Sequence, residues 1–88
     1  MDTQEILDEL LALLAQTDAI IRTEALGGGG GGLCQLQNKK IFFVDSDSST
    51  SDTADNCGRA VAKMINIEEI YIKPEIRCFI EAQKADLT

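Results

Sequence analysis

The chain contains no histidine and no tryptophan, and it has a single proline and a single tyrosine. Without histidine there is no side chain that titrates near neutral pH at its ordinary pKa and can serve as general base or metal ligand. A thiol nucleophile among Cys34, Cys57 and Cys78 would therefore lack its usual activating partner. A zinc site built on those three thiols would need an acidic fourth ligand, which is uncommon in structural zinc sites. No two of the cysteines form a Cys-x-x-Cys pair. Their odd number and wide spacing are those of reduced thiols in a cytoplasmic protein, where buried cysteine acts as a small apolar residue. With no tryptophan and only three phenylalanines, the core must be built mainly from Ile, Leu, Val and Ala.

Basic residues are also scarce. Eight Lys and Arg face fifteen Asp and Glu, for a net charge of −7 and a pI near 4.3. Residues 1–26 sum to −5, residues 27–44 to +2, residues 45–56 to −4 and residues 57–88 to zero. No basic patch results, and an acidic surface repels phosphate, so neither nucleic acid nor a membrane surface is an expected partner. No apolar run approaches the ~20 residues of a membrane span. The first twenty residues carry Asp2, Glu5, Asp8 and Glu9 without a basic n-region, so no secretory signal is expected.

Eighty-eight residues imply one small domain, residues 1–88, that buries only roughly 60% of its unfolded surface. Hydrophobic residues at 44% and charged ones at 26% give a globular profile. Six consecutive glycines, Gly27 to Gly32, break the chain into a helical front and a β-rich middle. A run without side chains cannot hold a helix or strand interior, and must be a loop.

Residues 3–16 predict a helix capped by Asp2 or Thr3, with Glu5 at capping-box spacing from Asp2. Ile6, Leu7, Leu10, Leu11, Leu13 and Leu14 form a wide apolar stripe, broad enough either to be deeply buried or to meet another chain. Residues 19–26 predict a strand with Ile21, Thr23 and Ala25 on one face. Leu33 to Gln37 predict a second, with Cys34 and Leu36 alternating against Gln35 and Gln37. Asn38-Lys39 fits a tight turn, because Asn tolerates positive φ. Lys40 to Val44 predict a third strand, apolar on both faces as a central or doubly covered strand is. Residues 45–53 are a polar loop rich in helix caps. A helix over 52–65 follows, started by Ser49 or Ser51, with Ala54, Cys57, Val61, Met64 and Ile65 inward. Ile67 to Ile72 predict a short strand or an extended link. Pro74 fits the first position of a last helix, with Ile76, Phe79, Ile80 and Gln83 inward and Cys78 pointing away. The expected fold is α+β: a three-stranded antiparallel meander covered by an N-terminal helix and two C-terminal helices.

Four patterns bear on chemistry. Strand-Asp-x-Asp at residues 41–47 resembles the nucleophile presentation of haloacid-dehalogenase-type phosphatases, which need a large parallel sheet that this chain is too short to supply. Asp45, Asp47 and Ser49 resemble the start of an EF-hand loop, but its glycine position is Thr50 and its bidentate Glu position is Asn56. Clustered oxygens still make Asp45, Asp47 and Asp52 the candidates for weak divalent-cation binding, against the plainer expectation of a solvated, helix-capping loop. The glycine run lacks the Gly-Lys-Ser/Thr and following helix of a P-loop. Cys34, just beyond the flexible loop, is the candidate reactive thiol of a thiol-dependent enzyme or redox protein.

Gly-Gly-Leu-Cys, an apolar strand ending in Phe43-Val44-Asp45, an Ala-rich helix, and Ile72-Lys73-Pro74-Glu75-Ile76-Arg77 together resemble a group of small uncharacterised bacterial α+β proteins over residues 20–80. The resemblance implies a compact bacterial domain and no mechanism. It singles out Gly32, Leu33, Cys34, Asp45, Pro74 and Arg77 as positions to probe. The resulting expectation is a non-enzymatic domain acting through protein association, including as a homodimer, with no cofactor.

Overall fold

The computed structural model describes residues 1–29 and 31–85; Gly30 of the predicted loop and residues 86–88 of the predicted domain lie outside the described residues. The elements run α1 (Thr3–Ala15), β1 (Ile20–Glu24), β2 (Gly32–Leu36), β3 (Lys39–Asp45), α2 (Thr50–Met64) and α3 (Pro74–Ala85).

The three strands do not form a meander. Their order is β1-β3-β2, with β1 parallel to β3 and β2 antiparallel to it. The sheet is mixed, and the doubly apolar third strand takes the centre, one of the two places its composition admits, rather than the edge that a meander gives it. Residues 25–31 must then carry the chain across two strand spacings, roughly 10 Å, over the end of β3. That crossing demands glycine. A Cβ at Gly31 would stand 1.8 Å from the Phe43 carbonyl oxygen, and Gly27 and Gly28 both hold φ at +82°, a conformation other residues rarely adopt. The β2–β3 hairpin closes on Gln37-Asn38, since Leu36 pairs with Lys39. The turn thus sits one residue earlier than Asn38-Lys39, and Gln37 takes the positive φ, at 55°.

α1 and α2 each start on a side-chain cap. The Asp2 carboxylate accepts the Glu5 amide at 2.9 Å, and the Ser49 hydroxyl accepts the Asp52 amide at 3.1 Å. Such caps satisfy donors that the first turn leaves without partners. Pro74 is the first residue of α3.

The central helix is α2. It packs against α1, α3, β2 and β3, burying Thr53, Ala54, Cys57, Gly58, Ala60 and Val61. These are small side chains, and they let the other helices approach closely. A Cβ at Gly58 would lie 3.0 Å from Cγ of Gln83 and 3.1 Å from the Phe79 ring. The core joins Leu7, Leu10 and Leu14 of α1 to Phe42, to Cys57 and Val61, and to Ile76 and Ile80 of α3. Ile6, Leu11 and Leu13 are packed partly against it. The broad stripe of α1 is therefore taken up within the chain. Phe42 is fully buried, which contributes about 2–3 kcal/mol.

Residues 66–73 form an irregular link rather than a strand. Ile67 and Ile72 are buried, while Ile70 and Tyr71 project outward, Tyr71 at 84% exposure. Arg77 Nη1 donates to the Ile67 carbonyl at 3.2 Å and pins this link to α3. Lys73 donates to Glu9 at 2.6 Å and ties it to α1. This hydrogen bond raises the Lys73 pKa above its ordinary value.

Helices cover one face of the sheet only. Ile21, Leu33, Phe42 and Val44 face them and pack on the core. Ile20, Ile41, Phe43, Cys34 and Leu36 belong by strand alternation to the other face.

Candidate functional site

The chemistry of the Asp45 region follows from the crossing loop. Asp45 ends β3 beneath the glycine arch and is 2% exposed. Its Oδ1 accepts the amides of Leu26 at 3.0 Å and Asp47 at 2.9 Å. Its Oδ2 accepts the amide of Gly28 at 3.0 Å and the hydroxyl of Ser48 at 3.1 Å. Asp47 adds a second latch, its Oδ2 accepting the Gly27 amide at 2.9 Å. The Ser48 amide turns back to the Asp45 carbonyl, and the Ser46 amide extends the β1–β3 pairing to Glu24.

This is an anion cradle of backbone N–H groups, of the kind glycine-rich loops present to phosphates, filled by the chain's own carboxylate. Charge-assisted hydrogen bonds of this kind are about twice as strong as neutral ones. The arrangement closes the loop on itself. Both oxygens of the Asp45 carboxylate, the position that the two sequence resemblances single out, are thus turned to these donors.

The other acids are placed differently. Asp52 lies in the first turn of α2, where negative charge suits the helix dipole. With Gly28, Gly29, Asp55, Asn56 and Arg59 it lines a shallow pocket of about 180 Å³ between the arch and α2. Arg59 Nη1 donates to Asn56 Oδ1 there at 2.9 Å. Among the described residues no three His, Cys, Asp or Glu side chains come together as metal ligands do.

The thiols divide by burial. Cys57 is fully buried, and burial pushes its pKa up to about 12, so it stays a protonated apolar residue. Cys34 and Cys78 are exposed. Cys34 pairs with Ile41, four residues before Asp45 on β3, a separation of roughly 13 Å along the strand. Arg77 is engaged by Ile67 and by Glu81 at 3.2 Å. Cys34, Asp45 and Arg77 therefore serve three separate places: the open sheet face, the arch and the α3 brace. Gly32 begins β2 with φ at +151° and open space where a Cβ would be. Leu33 packs partly on the core.

Sequence reasoning missed the donors to Asp45: the Leu26, Gly28 and Asp47 amides and the Ser48 hydroxyl. The usable signal was a run of side-chain-free N–H groups upstream of an acid that closes a doubly apolar strand. It also misplaced one sheet edge, because the meander expectation put β2 in the centre and β3 at the edge, whereas the order is β1-β3-β2.

No family model, no curated protein and no solved structure matches this chain.

Proposed function

We propose that the protein is a non-enzymatic association domain whose working surface is the uncovered face and edge of its sheet. One observation carries this reading. Apolar side chains continue onto the face that no helix covers: Ile20 is 43% exposed and Leu36 57%, Cys34 is exposed, and beside them in register lie Ile41, itself 8% exposed, and half-buried Phe43. Contiguous exposed apolar surface rimmed by polar groups marks interaction sites. The rim here is Arg22, Glu24 and Lys39 on the same face. The α1 stripe no longer motivates association, since it is spent on α2 and the core.

The alternatives find less support. A cation at Asp45, Asp47 and Asp52 would have to displace amide donors that already hold the first two carboxylates. A thiol enzyme at Cys34 would need a base, and the residue in register with Cys34 is Ile41, flanked on this face by Phe43 and Lys39.

Sedimentation velocity from micromolar to millimolar concentration tests the reading. Reversible association is expected in the wild type and should be lost in an Ile20→Lys, Leu36→Lys double variant. Both residues are exposed, so the variant keeps its helical circular dichroism. A wild type that stays monomeric throughout overturns the reading.

A further inference from the structure

We infer that the partner is a second copy of this chain, joined by antiparallel pairing of β2 with its counterpart about a two-fold axis at Cys34. The inference rests on the association reading above and makes it specific.

The two edges of the sheet differ. The β1 edge carries Arg22 and Glu24, paired at 3.7 Å, the kind of charge that blunts an edge. The β2 edge is Gly-Leu-Cys-Gln-Leu, without charge or proline, and β3 is its one neighbour in the sheet. Cys34, Gln35 and Leu36 are all exposed. Nothing in this strand opposes addition of another.

Charge points to the same edge. Two copies of a chain at −7 repel, and they meet most easily where acids are missing. Residues 25–44 contain no Asp or Glu, and β2 lies inside that stretch.

Register supplies the fit. A two-fold axis at Cys34 sets Gly32 opposite Leu36 of the second copy and Leu33 opposite its Gln35. Gly32 presents open space where a Cβ would stand and is itself opposite Phe43 on the same face. Leu36, 57% exposed, is the side chain to fill that space, at both ends of the interface by symmetry. Cross-strand pairs of this kind are the unit of sheet stabilisation. A one-residue slip would put the helices of the two copies on opposite faces and lose the Leu36–Gly32 match. The product is a six-stranded sheet, β1-β3-β2-β2-β3-β1, with its helices on one side. Five paired residues sit at the low end of the area that specific interfaces bury, below about 1,200 Å², so the dimer is weak and concentration-dependent.

The test uses Cys34 as its own reporter. In a Cys78→Ser variant Cys34 is the single exposed thiol among the described residues, because Cys57 is buried. Oxidised glutathione accepts the two electrons and leaves as two glutathione molecules. It should convert this variant to a Cys34-linked dimer with unchanged circular dichroism. A Cys34→Ser, Gln35→Cys, Cys78→Ser variant should cross-link at least about tenfold more slowly, because residue 35 faces Leu33 in this register. In the wild type, Leu36→Lys should weaken self-association by about tenfold or more. Association without Cys34 cross-linking, equal cross-linking at position 35, or an unaffected Leu36→Lys variant overturns this inference and leaves the association reading standing. A monomer at every concentration overturns both.

Discussion

Replacing Asp45 by Asn keeps the side-chain shape and removes its charge. Among the described residues Oδ1 accepts two amides, and Oδ2 accepts an amide and a hydroxyl. The amide nitrogen of Asn does least harm at the Oδ2 position, where Ser48 can rotate its hydroxyl and accept. Gly28 N–H then faces another donor. One charge-assisted hydrogen bond is lost, worth about 1.5–3 kcal/mol, and the others fall toward the neutral value of about 1 kcal/mol. Some of this is offset, because an amide costs less to bury than a carboxylate. The expected net loss is about 2 kcal/mol. Asp45→Ala also orphans the Leu26 and Asp47 amides and should cost about 3–4 kcal/mol. A domain of this length holds roughly 4–13 kcal/mol in total, so at the low end of that range the Ala variant stands near the edge of folding.

Urea denaturation reads the loss as a lower midpoint at unchanged m-value. Hydrogen exchange localises it: the Leu26, Gly28 and Asp47 amides should lose protection before the α2 amides do. An Asn variant within about 0.5 kcal/mol of wild type, or one whose loop amides keep their protection, would show that the arch holds itself and that Asp45 merely occupies it.

Two other perturbations follow from the same structure. Gln37 bears a left-handed φ of 55° that costs a side-chain-bearing residue about 1–2 kcal/mol, so Gln37→Gly should add about 1 kcal/mol of stability, read as a higher urea midpoint, and a lower midpoint would refute the strain. The buried Cys57 thiol titrates near 12 folded against an ordinary value of 9.0; the unfolded chain releases this proton first, so the contribution is intact below about pH 8.5 and falls by about 1.4 kcal/mol per pH unit between roughly 9 and 12. Comparison with Cys57→Ala, which lacks that slope, isolates it: the stability gap between the two proteins should narrow steadily above pH 9, and a constant gap counts against the burial argument.

The helices were legible in the sequence because their signals are local. Asp2, Ser49 and Pro74 mark starts that need nothing beyond one turn of chain, and the 3.6-residue spacing of Leu7, Leu10 and Leu14 states the buried face directly. Strand identity was legible too, the apolar run of β3 fitting a central or a doubly covered strand alike. Strand order was not. A meander and a crossing share the same three segments, and what separates them is the path of residues 25–31. That path is set by a contact nineteen residues apart, Leu26 N–H to Asp45, which no periodicity displays. The turn shifted by one residue for a related reason. Asn38 has the better propensity for positive φ, but the register of Cys34 with Ile41 assigns that conformation to Gln37. Here tertiary pairing overrides the local preference.

The crossing and the open edge have one cause. In a meander the edges would be the first and third strands, and the apolar third strand would have needed cover from elsewhere. By arching over β3, the glycine run seats that strand between two neighbours and pushes the short uncharged strand to the outside. Asp45 fixes the outcome, since its carboxylate draws the arch down onto the end of β3 and so sets where Gly32 begins its pairing with Phe43. The same lock thus positions the Gly32 notch relative to Phe43 that the second copy's Leu36 would fill. Loosening it with Asp45→Asn should therefore weaken self-association as well as stability, even where the protein remains folded. An Asp45→Asn protein that is measurably destabilised yet self-associates at wild-type strength would separate the arch from the edge and break this link.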